Sequence, residues 1–303
     1  MRTDIELPIT PELLLEWLSI KRTESKNYHH LLLRQTSPQK WNTVIDEMIP
    51  YFENAHLDAR TLFHRMAGID LHPTGNGTPN IQYPNSLPSI AQRGLFGEVL
   101  CGLITESYKF VGNQSWNVPI FLFRYHQDAE HYINRLVHGC REREVVGRLG
   151  DDFLGLALND DGTVAAILVG EAKFRKSLPP QKGIELMEEV HKNLSKDADV
   201  PVNIMRMSEL LRQKDAKAYY NTYTYLEKLN LSNSPIKVPR FDLVCLVVEK
   251  TKREYPPTYI PQNSKHLDYT SNRALQAVEV IIEDACELVE EIYQRLYSNG
   301  GQK

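Results

Sequence analysis

The chain has 303 residues, 42% of them hydrophobic and 24% charged, which is ordinary for a globular protein and too apolar for disorder. Its 35 Lys and Arg against 39 Asp and Glu leave a net charge of −4, which excludes a globally basic nucleic-acid coat but not a local basic groove. No apolar run approaches the ~20 residues of a membrane span, and the acidic, polar start MRTDIELPIT does not read as a signal peptide. A cytoplasmic protein with no membrane association is therefore expected. The cysteines, Cys101, Cys140, Cys245 and Cys286, form no C-x-x-C pair and read as reduced, largely buried thiols. The histidines show no tight ligand spacing, so a zinc site has little support.

The first ~67 residues read as helical. Thr10-Pro11-Glu12 is a helix start running into LLLEWLSIK, and a second helix covers about Trp41 to Met66 with an interruption near Pro50. The stretch from Asp70 to Ser89, rich in proline and glycine, reads as a loop or boundary. This divides the chain into a helical region over 1–70 and a mixed domain over 86–303, with one compact unit as the alternative. Ser89 to Ser107 reads as a helix with Ile90, Phe96, Val99, Leu100, Leu103 and Ile104 on one stripe. Val118–Tyr125 reads as a strand and Asp128–His138 as a short helix. DFLGLAL and TVAAILVGEAK are two strands joined by Asn159-Asp160-Asp161-Gly162, which is hairpin chemistry. Pro179-Pro180 leads into a helix over about Lys182–Leu194, and helical sequence follows over Ser208–Leu229. FDLVCLVVEK, from Phe241, is apolar on both faces and reads as a central strand. Ser271–Tyr297 reads as a long final helix with Glu279, Glu283, Glu287 and Glu290 largely outward. Helices and strands mixed along one core make the class α/β or α+β.

The chemistry concentrates in GDDFLGLALNDDGTVAAILVGEAKFRK, from Gly150 to Lys176. Glu171 and Lys173 are two apart on a strand and share a face. With a two- or four-residue hairpin loop, Asp152 lies opposite Val169 and becomes the diagonal neighbour of Glu171. A three-residue loop would flip one strand and break this. Two carboxylates on a rigid hairpin suit a Mg²⁺ or Mn²⁺ ion held by oxygen ligands, with the Ala172 carbonyl as a further donor. A lysine beside them can orient water or neutralise phosphate charge. Lys173, Arg175 and Lys176 form a basic run suited to phosphate contacts.

A helix carrying a glutamate, then a strand, an Asp at a hairpin start and E-x-K resembles the PD-(D/E)XK nuclease core. More narrowly, GLFGEVL, DDFLGLAL and GEAKF are similar to the HamA family, the nuclease subunits of Hachiman anti-phage systems, and to the related AbpA abortive-infection proteins. The resemblance covers about Ser89 to Lys176. It implies a restriction-endonuclease-like core, a mixed central sheet flanked by helices, here with a helical N-terminal extension. It implies Asp152, Glu171 and Glu98 as metal ligands and Lys173 as the catalytic lysine. It also implies DNA as substrate and a HamB-like helicase subunit as partner in a heteromeric complex. Gly150-Asp151 stands where the generic motif has Pro-Asp, which leaves Asp151 or Asp152 as the ligand, and Asp152 fits the register better. The setting of Glu98, among Gly94, Gly97, Cys101 and Gly102, lets another backbone approach closely.

Weaker candidates are Tyr219, Tyr220, Tyr223 and Tyr225 as a stacking or docking cluster, Gln181 and Lys182 after the double proline, and His126 and His131. Two further readings stand beside the nuclease. One is a nuclease-fold interaction or sensor module without turnover. The other is a metal-dependent hydrolase of a small phosphoester.

Overall fold

The computed structural model describes residues 11–36, 41–67, 84, 87–108, 111–118, 152–196, 200–231, 236–250 and 258–300. Helix α1 (Pro11–Trp17) leads into strands β1 (Leu18–Ser25) and β2 (Tyr28–Gln35), then α2 (Trp41–Ala67) and α3 (Ser89–Tyr108). Short β3 (Trp116–Asn117), β4 (Phe153–Leu158) and β5 (Val164–Arg175) follow. Helices α4 (Pro180–Leu194), α5 (Val200–Asp215) and α6 (Tyr220–Leu229) precede β6 (Arg240–Lys250), β7 (Leu275–Glu283) and α7 (Ala285–Gly300).

The described strands form one seven-stranded sheet in the order β1-β2-β7-β6-β5-β4-β3. Strands β2, β7, β6 and β5 pair in parallel, while β1–β2, β5–β4 and β4–β3 pair antiparallel. The mixed α/β class expected from sequence is what the chain adopts. β6 lies at the centre, buried along Asp242–Glu249, as its two-faced apolar pattern requires.

Register sorts the sheet into two faces. Ala172, Cys245, Val278 and Leu31 align across four strands on one of them. Helix α3 covers this face. Gly97 sits against β5, where an added Cβ would lie 3.5 Å from the Phe174 Cβ, and the Phe96 ring meets Phe174 edge-on at 6.0 Å. Phe52 of α2 stacks on Phe96 at 5.6 Å, and His56 of α2 shares a 3.0 Å hydrogen bond with the Tyr293 hydroxyl of α7. The other face carries Glu171, Val244, Ala277 and His30 in register. There buried Glu279 accepts the backbone N–H groups of Tyr259 and Ile260 at 2.5 and 2.9 Å and meets His30 at 3.2 Å.

A second buried carboxylate locks the base of β6. Asp242 is 0% exposed. It accepts from Arg240 Nε at 2.7 Å, Arg273 Nε at 2.8 Å and the Tyr269 hydroxyl at 2.7 Å. Both arginines then reach the Leu194 carbonyl, at 3.3 and 2.9 Å. The guanidinium groups thereby satisfy the C-terminal carbonyl of α4, a group that helix geometry leaves without a helical partner.

Several expectations are corrected. Residues 18–35, expected helical, are a β-hairpin whose β2 joins the sheet beside β7. Helix α2 runs through Pro50 without a break. Helical sequence over Ser208–Leu229 is two helices, because the Asp215 carboxylate takes the N–H groups of Lys217 and Ala218 at 3.0 and 2.8 Å and competes with the helix ladder. The long final helix is instead strand β7 followed by α7, separated by Asp284 at φ 51°. β7 is rich in β-branched residues and buried on both faces along Leu275–Val280, so its glutamate at 279 points inward. Ile90, placed on the apolar stripe of α3, is 69% exposed. The strand expected over Val118–Tyr125, of which Val118 alone is described, lies otherwise outside the described residues. So do the helix over Asp128–His138 and most of the loop before Ser89.

His191 on α4 is 0% exposed. Its Nδ1 lies 2.6 Å from the Met187 carbonyl and its ring stacks on His266 at 4.7 Å. Burial pulls its pKa down to about 4, with the charge of His266 acting the same way against the Met187 carbonyl and Asp268. The unfolded histidine takes its proton near pH 6.5, so the stabilisation is complete above that pH. It is lost as pH falls towards 4, by about 3 kcal/mol at the lower end. Urea midpoints at pH 7.5 and 4.5 test this. His191→Leu should lose less stability between the two pH values than the wild type, and an equal loss would show that His191 does not titrate as described.

Candidate active site

The β4–β5 hairpin turns through Asn159–Thr163. Asn159 N–H bonds the Thr163 carbonyl and Gly162 N–H the Asn159 carbonyl, both at 2.9 Å, with Gly162 at φ +81°, a conformation glycine adopts without strain. The Thr163 hydroxyl at 2.6 Å and its backbone N–H at 2.9 Å hold the Asp161 carboxyl below the usual carboxylate range. Asn221 and Thr222 at the start of α6 clasp this turn through the Asp161 and Gly162 carbonyls, at 2.7 and 2.8 Å.

The register differs from the expectation. Leu154, not Asp152, lies opposite Val169, and the last ladder pair is Phe153–Gly170. The five-residue turn and a register shift between Ala157 and Leu158 move the pairing by two. The Phe153 ring lies over Gly170, where an added Cβ would overlap it. Asp152 therefore sits at the very end of the ladder, beside Glu171, with its N–H bonded to the Gly170 carbonyl at 2.9 Å.

That position brings the predicted trio together. Asp152 is 2% exposed. Its Oδ2 accepts the Ala172 N–H at 2.7 Å and Lys173 Nζ at 3.2 Å. Lys173 Nζ also bonds Glu171 Oε1, so one ammonium joins both carboxylates. The carboxylate has taken the place that a strand carbonyl would fill opposite Ala172. Beyond this point β5 pairs only with β6 among the described residues. Burial, then the hydrogen bond to Cys245 and its charge, raise the Cys101 thiol on α3, with the Asp152 charge acting in the same direction.

Beside this end of β5 lies a groove of about 280 Å³, lined by Ile90, Arg93 and Gly94 of α3 and by Ala172 to Lys176. Lys173, Arg175 and Lys176 all border it. Arg93 is a cation that sequence reasoning missed. Its Nε bonds the Ser89 carbonyl at 3.0 Å and its Nη1 the Cys286 Sγ at 3.5 Å. Cys286 N–H in turn bonds the Glu249 carboxylate at 2.6 Å. No local motif marks Arg93. It reaches the groove because α3 packs tightly on β5 at Gly97.

Glu98 is half-buried on α3, next to that contact. Among the described residues no three His, Cys, Asp or Glu side chains group as a metal cluster. The oxygen donors present are the two carboxylates and the Ala172 carbonyl. Their chemistry fits a hard divalent cation, and the gap between the carboxylates already holds a cationic group. Gln181 and Lys182 are exposed on the first turn of α4. Tyr219 is in the core. Tyr220 and Tyr223 pack edge-on at 5.7 Å, with Arg212 4.9 Å from the Tyr223 ring. This cluster adjoins the hairpin turn, about 35 Å along β5 from Lys173 at strand rise. Asp151, Cys140, His126 and His131 lie outside the described residues. Cys101 and Cys245 are buried free thiols and Cys286 is half-buried.

Fold and site thus define a mixed-sheet α/β protein with a carboxylate–lysine centre near the end of β5. Comparison with protein-family models and with curated proteins gives no match. No helix among the described residues is long and apolar enough to cross a membrane.

Proposed function

We propose that the chain is a Mg²⁺- or Mn²⁺-dependent DNA nuclease of the PD-(D/E)XK type, a HamA-like effector of anti-phage defence controlled by a HamB-like helicase. The observation that carries this reading is Lys173 joined to Asp152 and Glu171 near the end of β5, beside a groove lined by Arg93, Arg175 and Lys176. The order of α3, antiparallel β3–β5, a helical crossover and parallel β6 agrees with the nuclease core that the motifs resemble.

In this reading Asp152 and Glu171 hold the divalent ion, with the Ala172 carbonyl as backbone donor and Glu98 as the side chain that would extend the set. The bound ion supplies polarisation of the phosphoryl oxygen and acidification of water. Asp152, fixed by the Ala172 N–H, keeps its carboxylate in one orientation. Lys173 orients the attacking water or neutralises charge developing on the phosphate. Arg93, Arg175 and Lys176 bind flanking phosphates. A chain of net charge −4 has little non-specific attraction for DNA, which suits delivery by a helicase.

The test is supercoiled plasmid incubated with the protein in Mg²⁺ or Mn²⁺ against EDTA, alone and with a HamB-like helicase plus ATP. Metal-dependent nicking that requires helicase and ATP supports the full reading, and nicking by the chain alone supports the nuclease without licensing. Metal-independent cleavage, or none in either format, overturns it. In the latter case the module without turnover becomes the better reading.

A further inference from the structure

A larger cavity lies at the other end of the sheet. It measures about 610 Å³ and is bordered by the β1–β2 turn, the end of α3, the Val111–Asn113 turn and the first residues of β6 and β7. Ligand pockets for small molecules fall in this size range. The cavity is about 22 Å further along α3 than Arg93, at 1.5 Å per residue. It therefore shares no lining residue with the groove.

Its wall is built rather than incidental. Gly112 and Asn113 are successive residues at φ 67° and 53°. Such backbone is uncommon outside glycine and gathers at ligand sites. The positive φ of Gly112 lets the turn lie directly on the Phe241 ring, which an added Cβ would overlap. Trp116 holds Phe241 edge-on at 5.6 Å. Two aromatic rings, Phe241 and Tyr108, thus line the cavity. The Arg22 guanidinium stands 5.7 Å from the centre of the Tyr108 ring. Arg22 and Glu24 are two apart on β1 and share one side of the strand, Lys26 follows in the β1–β2 turn, and all three line the cavity with Asn27 and His29.

We propose that this cavity binds a nucleoside phosphate. The Phe241 ring, half-buried at the cavity wall, offers a surface on which a planar base can stack, at a gain that does not depend on which base it is. Arg22 and Lys26 supply the cations a phosphate requires. Glu24 between them supplies the carboxylate that accepts from ribose hydroxyls, the role an acidic residue plays in nucleotide sites generally. An inorganic anion would use only the cations, and an apolar ligand would use none of the three charged side chains. A nucleoside phosphate uses all three kinds of group. The inference is independent of the nuclease reading, since it involves none of the same residues.

The test is titration calorimetry of the full chain with ADP, with ribose 5-phosphate and with inorganic phosphate. ADP should bind with a Kd of about 10–100 μM, ribose 5-phosphate at least tenfold more weakly and inorganic phosphate more weakly still. Arg22→Gln, on an exposed strand position, should weaken ADP tenfold or more. Phe241→Leu should weaken ADP while leaving ribose 5-phosphate unchanged, which separates lost stacking from a damaged fold. Equal binding of ADP and phosphate means an anion site only and overturns the proposal. So does the absence of ADP binding at about 1 mM, or an ADP affinity unmoved by Arg22→Gln.

Discussion

Lys173→Met should lower metal-dependent plasmid cleavage by 10²-fold or more, the usual cost of removing one charged donor from a developing oxyanion. The same change has a structural cost. Lys173 is the cation shared by Asp152 and Glu171, and Asp152 is almost fully enclosed. Without it two carboxylates face each other, so the variant should lose about 1–3 kcal/mol of stability. The two effects separate experimentally. Lys173→Arg keeps the charge and much of the stability, but its planar fork does not reproduce the point charge of an ammonium, so it should stay inactive. Cleavage by Lys173→Met at wild-type rate would remove the lysine from the chemistry.

The largest stability effect should come from the base of β6. Asp242→Ala strands Arg240, Arg273 and the Tyr269 hydroxyl around an empty buried position. Breaking a buried ion pair from one side typically costs 3–5 kcal/mol, and here two guanidinium groups lose their partner. They also hold the C-terminal carbonyl of α4, so the loss reaches the helix that follows the candidate site. Urea unfolding at pH 7.5 should show a midpoint drop of that size. A change under about 1 kcal/mol would mean the cluster contributes little net.

The sequence carried the site further than it carried the fold. Glu171 and Lys173 follow from strand periodicity alone, and Asp152 from hairpin pairing. The pairing was displaced by two because the turn spans five residues and the ladder shifts at Ala157/Leu158, an irregularity no local pattern announces. The displacement preserves the outcome, since Asp152 still ends beside Glu171. The strands at residues 18–35 and 275–283 were hidden for a different reason. Leu275, Val278 and Ile282 satisfy a helical stripe as well as a buried strand, and only the neighbours β2 and β6 decide between them. Glu279 looked like a solvent-facing residue because its partners, Tyr259, Ile260 and His30, come from distant segments. Arg93 was unreadable for the same reason, since its place at the groove depends on how α3 crosses β5.

The most direct test of the proposed hydrolytic centre is the rate of Mg²⁺-dependent nicking by wild type and by Glu171→Gln, under the conditions in which the wild type nicks and at a temperature where urea unfolding shows both variants folded. Glu171→Gln keeps the size of the side chain and a hydrogen-bond acceptor for Lys173, yet removes the carboxylate charge. The account predicts a fall of at least 10²-fold with the urea midpoint little changed. Nicking by Glu171→Gln within about twofold of wild type would contradict it, because no chemistry based on this carboxylate–lysine centre tolerates that loss of charge.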